Sequence, residues 1–299
     1  MGPATDISQS RKRLSGQATG RPLDWILMVV CLLATGLGVA ALFTLLVHVA
    51  IDAVGWLDWQ FLTSTSSRFP EKAGIYPALV GSVFMALLLI PMALVLGIGA
   101  AVYLTEYARG GRVTRFININ IANLAGVPSV VWGLLGLGLF IQLLGLEYGT
   151  LLIGSLTMAL LILPVIVISS QEAIKAVPDS LRQASYGMGA TQWQTIYRVV
   201  LPQALPGILT GTILSLARAL GETAPLIMIG VPTAVFATPD GVTDKFTSMT
   251  MQIFSWSDYP QEEFQYGVMA AGVVTLLVVL LSLNALAIYL RNRFRVTND

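Results

Sequence analysis

Long apolar runs recur along this chain, and they decide what it can fold into. A helix needs about 20 mainly apolar residues to cross the hydrocarbon core, where lipid offers no partner for a backbone N–H or C=O. Such runs extend from Trp25 to about Val49, Tyr76 to Leu104, Ile117 to Leu144, Tyr148 to Ser169, Gly207 to Ile229 and Tyr266 to Tyr289. They predict an all-α fold, a polytopic membrane helical bundle with about six transmembrane helices. Composition agrees. Of 299 residues 55% are hydrophobic and 11% charged, whereas a soluble domain carries roughly a quarter of its residues as Asp, Glu, Lys and Arg.

Residues 1–24 read as a disordered polar tail and residues 25–299 as one transmembrane domain. The first run is too long for a signal-peptide core of about 7–15 residues, so an uncleaved anchor is expected. Basic residues set the orientation. Arg11, Lys12, Arg13, Arg21, Arg109, Arg112, Arg115, Lys175, Arg182, Arg198, Arg291, Arg293 and Arg295 fall on one side, and only Arg68, Lys72 and Lys245 on the other. Lys and Arg in short loops stay in the cytoplasm, which places both termini there. A polar stretch from Asp52 to about Gly74 carries Trp56, Trp59 and Phe61, suited to the membrane interface. A second, from Val231 to about Gln265, reads as a long polar connection.

Several chemistries are excluded. Cys31 and His48 are the sole cysteine and histidine, so neither a disulfide within the chain nor a multi-ligand zinc or iron site can form. Both are expected to pack inside the first span. Lys12, Lys72, Lys175 and Lys245 do not follow a glycine, so there is no phosphate-cradling P-loop. No catalytic constellation is visible, and no cofactor, metal or nucleic-acid partner is expected. A pump built on this chain must take its energy from a partner or from an ion gradient.

The longest segment on the basic side runs from Gln171 to about Pro206. Pro178 and Asp179 can start a helix there, with the carboxylate at the favourable end. Leu181, Ala184, Ser185 and Met188 recur at helical spacing and predict one weakly apolar face. Gly187 and Gly189 permit a tight turn. A second amphipathic stretch, Trp193 to Val200, ends at Leu201 and Pro202. A helix-turn-helix of this kind makes either a knob for a partner's groove or an interfacial helix resting on lipid.

This segment resembles the coupling loop of the permease subunits of binding-protein-dependent ABC importers. That family's pattern is Glu-Ala-Ala, three residues, Gly, nine residues, Ile, any residue, Leu-Pro. Gln183, Ala184 and Ser185 stand at its first positions, Gly189 and Val199 follow at the same spacing, and Leu201 and Pro202 close it. Gln183, Ser185 and Val199 depart from the pattern, the first by removing a charge. TEYARGG, NLAGVPSVVWGLLGLGLF and RALGETAPLIMIG extend the similarity, from about Gly74 onward, to the A-type permease subunits of phosphate importers. The resemblance implies a type I ABC importer permease fold and a translocation pathway for inorganic phosphate in the inner membrane. It also implies three kinds of partner: a second permease subunit, two copies of a cytoplasmic ABC ATPase, and an extracytoplasmic phosphate-binding protein. ATP hydrolysis would belong to the ATPase, not to this chain. An importer of another solute, such as sulfate or an amino acid, fits the pattern too. An ion-coupled secondary transporter would need inverted repeats or interrupted spans in matching halves, and none is visible.

Arg218 falls near the middle of the fifth run, where an exposed arginine costs about 2.5–3.5 kcal/mol on insertion scales. Glu222, four residues on, is expected on the same helix face. Two roles are open. The pair can neutralise itself and serve packing, or Arg218 can offer its planar fork to a passing oxyanion while Glu222 limits how tightly the anion binds. In the resembling family this motif lies between the two permease subunits, which favours a pathway or gate. Thr223 and Pro225 provide a polar side chain and a kink for a flexible point. In the third run Gly126, Gly133, Gly136 and Gly138, with Pro128, permit close helix packing, or else a gating hinge.

Overall fold

The computed structural model describes residues 22–108 and 110–293. The expected tail, with Arg11, Lys12, Arg13 and Arg21, and likewise Arg109 and Arg295, lies outside the described residues. Helix α1 spans Pro22–Asp52. It is apolar on every side and leaves no polar stripe, as a lipid-facing span does. Leu33 and Phe43 are exposed, and so is Cys31, contrary to the packing expected of it. By contacts the chain forms two compact units, which meet between Ile51 and Asp52.

The second unit begins with α2, Trp59–Thr63, capped by Asp58, whose Oδ1 accepts from Phe61 N at 2.7 Å. Phe61, expected to suit the membrane interface, packs inside the protein. It is buried, its ring 5.8 Å from that of Trp256. Helix α3, Tyr76–Val102, continues through a wide turn at Tyr103–Tyr107. Then come α4, Arg112–Ala125, and α5, Ser129–Gly136, the latter extended by a wide turn to Leu143. Helix α6 is Leu151–Lys175, α7 Asp179–Gly187 and α8 Gln192–Thr195. A wide turn, Ile196–Val200, joins α8 to α9, Leu201–Gly221. The chain closes with α10, Ala224–Met228, α11, Met249–Ser257, and α12, Met269–Arg293.

Among the described residues five helices are long and apolar enough to cross a membrane, and a sixth span is counted if α4 and α5 are taken as one. Those two meet at 106°, so the third run is not the straight span its length predicts. Gly126 ends α4 and Pro128 caps α5 with φ −55° and ψ 140°, an extended residue no helix can pass through. The break agrees with composition. Asn118, Asn120 and Asn123 give α4 a polar component, and it is anchored by Gln171 of α6, whose Nε2 donates to Asn118 Oδ1 at 3.0 Å.

Helix α6 is the centre of the bundle, with 67% of its most apolar stretch buried. It packs against α3 and α9. Gly207 and Gly211, four apart on α9, permit the second contact. A Cβ on Gly207 would lie 2.7 Å from that of Ala173, and one on Gly211 would collide with Ser169. Met85 and Leu89 of α3, Met158 and Ile162 of α6, and Trp132 and Phe140 fill the core.

The polar connection expected from Val231 to Gln265 is irregular and largely exposed in its first half, and its second half is built into the core. It folds back into the bundle, and Phe246, Met249, Met251 and Trp256 are fully buried. Ser248 caps α11 by accepting from Met251 N at 3.2 Å.

Candidate functional site

Two regions hold the residues singled out by the sequence. The first is the hairpin between α6 and α9. The helix of α6 persists to Lys175, and α8 already continues into α9, so the irregular part of the expected 171–206 segment is shorter than its sequence implies. Helix α7 ends in a Schellman arrangement: Gly189 N donates to Tyr186 O at 2.9 Å and Ala190 N to Ser185 O at 3.2 Å. That geometry requires a left-handed residue, and Gly189 supplies it with φ +84°. Gly187 remains helical. Thr191 then opens α8 with a capping box, its Oγ1 accepting from Gln194 N and its own N donating to Gln194 Oε1.

The hairpin divides its residues sharply between inside and outside. Ser185 is buried, and its Oγ lies 2.9 Å from Thr195 Oγ1 across the two arms. Gln183 and Ala184 face outward. So do Tyr186, Met188, Trp193 and Tyr197, the last two with stacked rings 6.2 Å apart. The expected apolar face is therefore inaccurate: Met188 is 86% exposed and points away from Ser185's seam. Val199, Leu201 and Pro202 are half-buried. Pro202 lacks an N–H and its ring crowds the carbonyl four residues back. The helix widens just before it, with Leu201 N donating to Ile196 O.

A buried ion pair, not anticipated from the sequence, ties the hairpin to the bundle. Arg182 Nη2 lies 2.9 Å from Glu106 Oε1, with side chains 14% and 9% exposed. The same guanidinium donates to Ile174 O at 2.9 Å, to Val177 O at 2.6 Å and to Asp179 Oδ1 at 3.0 Å. Gln192 Nε2 donates to Glu106 O at 2.7 Å. These partners are up to 86 residues apart in sequence, so no local pattern announces them.

The second region surrounds Arg218. The fifth run does not continue as one helix to Ile229. It stops at Gly221, and Glu222 is extended, with φ −87° and ψ 134°. Arg218 thus stands in the last turn of α9 rather than mid-helix, where its charge meets the negative end of the helix dipole. Glu222 is beyond the helix, so the pair spans the helix end instead of one helical face. Arg218 Nε is 3.5 Å from Glu222 Oε1, the arginine 51% exposed and the glutamate 23%. Thr250 Oγ1 of α11 donates to Glu222 O at 3.3 Å. Thr223 caps α10, its carbonyl accepting from Leu226 N and Ile227 N. Pro225 is buried within α10.

Gly133 belongs to this region and Gly126 does not. A Cβ on Gly133 would lie 2.7 Å from Pro225 Cα and 2.7 Å from Met228 Cβ. Gly133 thereby lets α5 lie directly on α10, and Gly136 similarly approaches Thr157 and Ile229. Gly138 makes no such approach, and Gly126 meets only Asn123 O at 3.5 Å, at the break beside Pro128.

Comparison with known proteins matches this arrangement. Over 273 residues the chain is 35% identical to the phosphate transport system permease protein PstA 1 of Mycobacterium tuberculosis (strain CDC 1551 / Oshkosh), covering 90% of this chain and 83% of that one. It is 30% identical to PstA of Yersinia pestis, covering 94% of each. Among solved structures, a bacterial alginate ABC transporter in complex with alginate pentasaccharide-bound periplasmic protein superposes with a TM-score of 0.67 at 15% identity, over 91% of this chain and 96% of that one. The MetNI methionine ABC transporter in an inward-facing form gives 0.59 at 18% identity, over 72% and 94%. At such identities these structures establish the shared fold alone. Residues 93–296 match the sequence signature described as binding-protein-dependent transport system inner membrane component, and the chain belongs to that family.

Proposed function

We propose that this chain is the A-type permease subunit of an ATP-driven phosphate importer. It sits in the inner membrane with both termini in the cytoplasm and forms the phosphate pathway with a second, similar permease subunit. Two copies of a cytoplasmic ATPase grip the coupling hairpins, and an extracytoplasmic binding protein delivers phosphate. The observation that carries this reading is the hairpin. Its outer surface exposes Gln183, Ala184, Met188 and Trp193, while its inner surface is fixed by Ser185, Arg182 and the Gly189 turn. A rigid knob with an exposed apolar tip suits a groove on a motor protein. An interfacial helix resting on lipid would instead turn its apolar side chains as one stripe toward the bilayer. The solute comes from the relatives named for phosphate transport.

Arg218 and Glu222 are the pathway residues in this reading. The half-exposed guanidinium is open to an oxyanion, and a separation of 3.5 Å from the carboxylate is looser than a tight charged hydrogen bond of about 2.7–2.9 Å. The anion therefore competes with Glu222 for Arg218, and Glu222 reclaims the arginine when the anion leaves.

Reconstitution tests the proposal. The chain is placed in proteoliposomes with its companion permease, ATPase and binding protein, and labelled phosphate uptake is followed. Uptake that requires ATP and is not displaced by excess sulfate is expected. Sulfate or amino-acid uptake in its place would assign another solute. Uptake driven by an ion gradient without ATP would reject the importer reading.

A further inference from the structure

Helix α3 with its terminal wide turn runs 32 residues, about 48 Å at 1.5 Å per residue. Both of its ends are held by groups that belong to the transport machinery. At one end stands Glu106. Arg182 of α7 grips its carboxylate at 2.9 Å and Gln192 of α8 grips its carbonyl at 2.7 Å. Both arms of the hairpin thus converge on one residue. Toward the other end, in the second turn from Tyr76, stands Ser82, nine-tenths buried, whose Oγ accepts from Met249 N at 2.9 Å. Next to it Gly81 is pressed against Thr247, where a Cβ would collide with the carbonyl. Met249 opens α11, and one residue on, Thr250 donates to the Glu222 carbonyl at 3.3 Å. Between the ends α3 is packed along α6, with a Cβ on Gly97 falling 2.6 Å from Ile166 Cγ2.

We infer that Glu106 and Arg182 are positioning residues of transport, and that α3 is the rod through which the hairpin moves the Arg218–Glu222 site. Movement of the knob cannot leave Glu106 behind without separating a buried charge pair, which is costly in a poorly solvated site. A packed helix transmits a shift along its axis more readily than it bends. The far end then carries α11, and with it the hydrogen bond on Glu222. Arg182 also binds the Ile174 and Val177 carbonyls at the end of α6, so the same guanidinium ties the hairpin to the ends of α3 and α6 together. The link is a continuous chain of named contacts from the hairpin to Glu222.

This inference rests on the importer reading, so the experiment reads the two separately. The reconstituted complex is assayed for ATP hydrolysed and phosphate moved, with ATPase retention checked by co-purification. Absence of ATP-driven phosphate uptake in the unmodified complex would count against the importer reading. If the rod exists, Glu106→Gln keeps the ATPase bound and hydrolysing but moves about tenfold less phosphate per ATP, the loss set by one charge-assisted hydrogen bond. Arg182→Lys, which keeps the charge, recovers part of the ratio that Arg182→Gln loses. Ser82→Ala lowers the ratio from the opposite end, and the Glu106→Gln/Ser82→Ala pair is no worse than its worse member. An unchanged ratio in Glu106→Gln, a fall in hydrolysis alone, or additive losses in the pair would overturn the inference. Should Glu106→Gln fail to assemble, Gln192→Ala is read by the same criteria.

Discussion

Ser185 Oγ and Thr195 Oγ1 lie 2.9 Å apart in the buried seam between the two arms of the hairpin. Ser185 occupies a position where the family pattern has alanine, so this chain has a polar brace in place of a purely apolar contact. A buried hydroxyl left without its partner costs about 1–3 kcal/mol. Ser185→Ala therefore lowers the thermal midpoint of the solubilised protein, although it restores the family residue. Replacing both groups, Ser185→Ala with Thr195→Val, recovers most of the loss because no polar atom stays unpaired. Thermal unfolding of the four members of this cycle checks it, and losses that simply add would refute it.

Gly133 and Gly126 separate packing from bending. A side chain at Gly133 must displace Pro225 and Met228, and overpacking of this kind costs about 1–3 kcal/mol. Gly133→Val is expected to lower the yield and thermal stability of the folded protein. A Cβ on Gly126 would make only an ordinary contact with Asn123 O at 3.5 Å, and its φ of −92° is one that any residue adopts. Gly126→Ala leaves stability within about 0.5 kcal/mol. Equal damage from the two substitutions, measured by thermal unfolding in detergent, would contradict the assignment of close packing to Gly133 and not to Gly126.

The contrast shows which features were legible in the sequence. The apolar runs revealed five of the crossings because membrane length is a coarse signal that survives errors of a few residues at each end. The hairpin was legible because its spacing encodes a geometry: Gly189 must be left-handed, and Pro202 must follow the widened turn. Other features depend on long-range contacts. Glu106 and Arg182 are 76 apart in sequence, and each looks like an ordinary loop charge until the fold joins them. The segment Met249–Ser257 mixes polar and apolar residues in a way that reads as loop. Only Ser248 ahead of Met249, Met251 and Trp256 hinted at a capped, buried helix. The α4–α5 break had a better signal, three asparagines followed by Gly126 and Pro128, and Pro128 by itself already invites a bend; the apolar content around them concealed only how sharp it is.

The outer surface of the hairpin supports a test of docking that does not disturb its fold. Met188 is exposed and in contact with solvent on nearly all sides. Met188→Glu puts a charge where an apolar groove would close, and a desolvated unpaired charge is strongly unfavourable. The variant folds with an unaltered thermal midpoint but loses the ATPase on co-purification. Gly189→Val acts differently, because a β-branched residue at φ +84° carries about 1–3 kcal/mol of backbone strain. It destabilises the hairpin and the association together. Retention of the ATPase by Met188→Glu would place the docking surface elsewhere.

Arg218 and Glu222 allow the packing and pathway roles to be told apart. If the pair served only packing, removing either charge would be equally harmful and would act through stability. The exposure is unequal, however, with the arginine 51% exposed and the glutamate 23%, so the arginine is the member available to a ligand. Loss of a charged hydrogen bond worth about 1.5–3 kcal/mol corresponds to roughly ten- to hundredfold in rate or affinity. Arg218→Ala is expected to lower phosphate uptake by at least that factor while the complex still assembles. Arg218→Lys, which keeps the charge without the planar fork, recovers only part. Glu222→Gln removes the competitor for the guanidinium, so phosphate is held longer and maximal uptake falls although apparent affinity rises. Initial rates over a range of phosphate concentrations distinguish these outcomes. Normal uptake by Arg218→Ala, or equal loss of stability in both single variants with kinetics otherwise unchanged, would return the pair to a packing role.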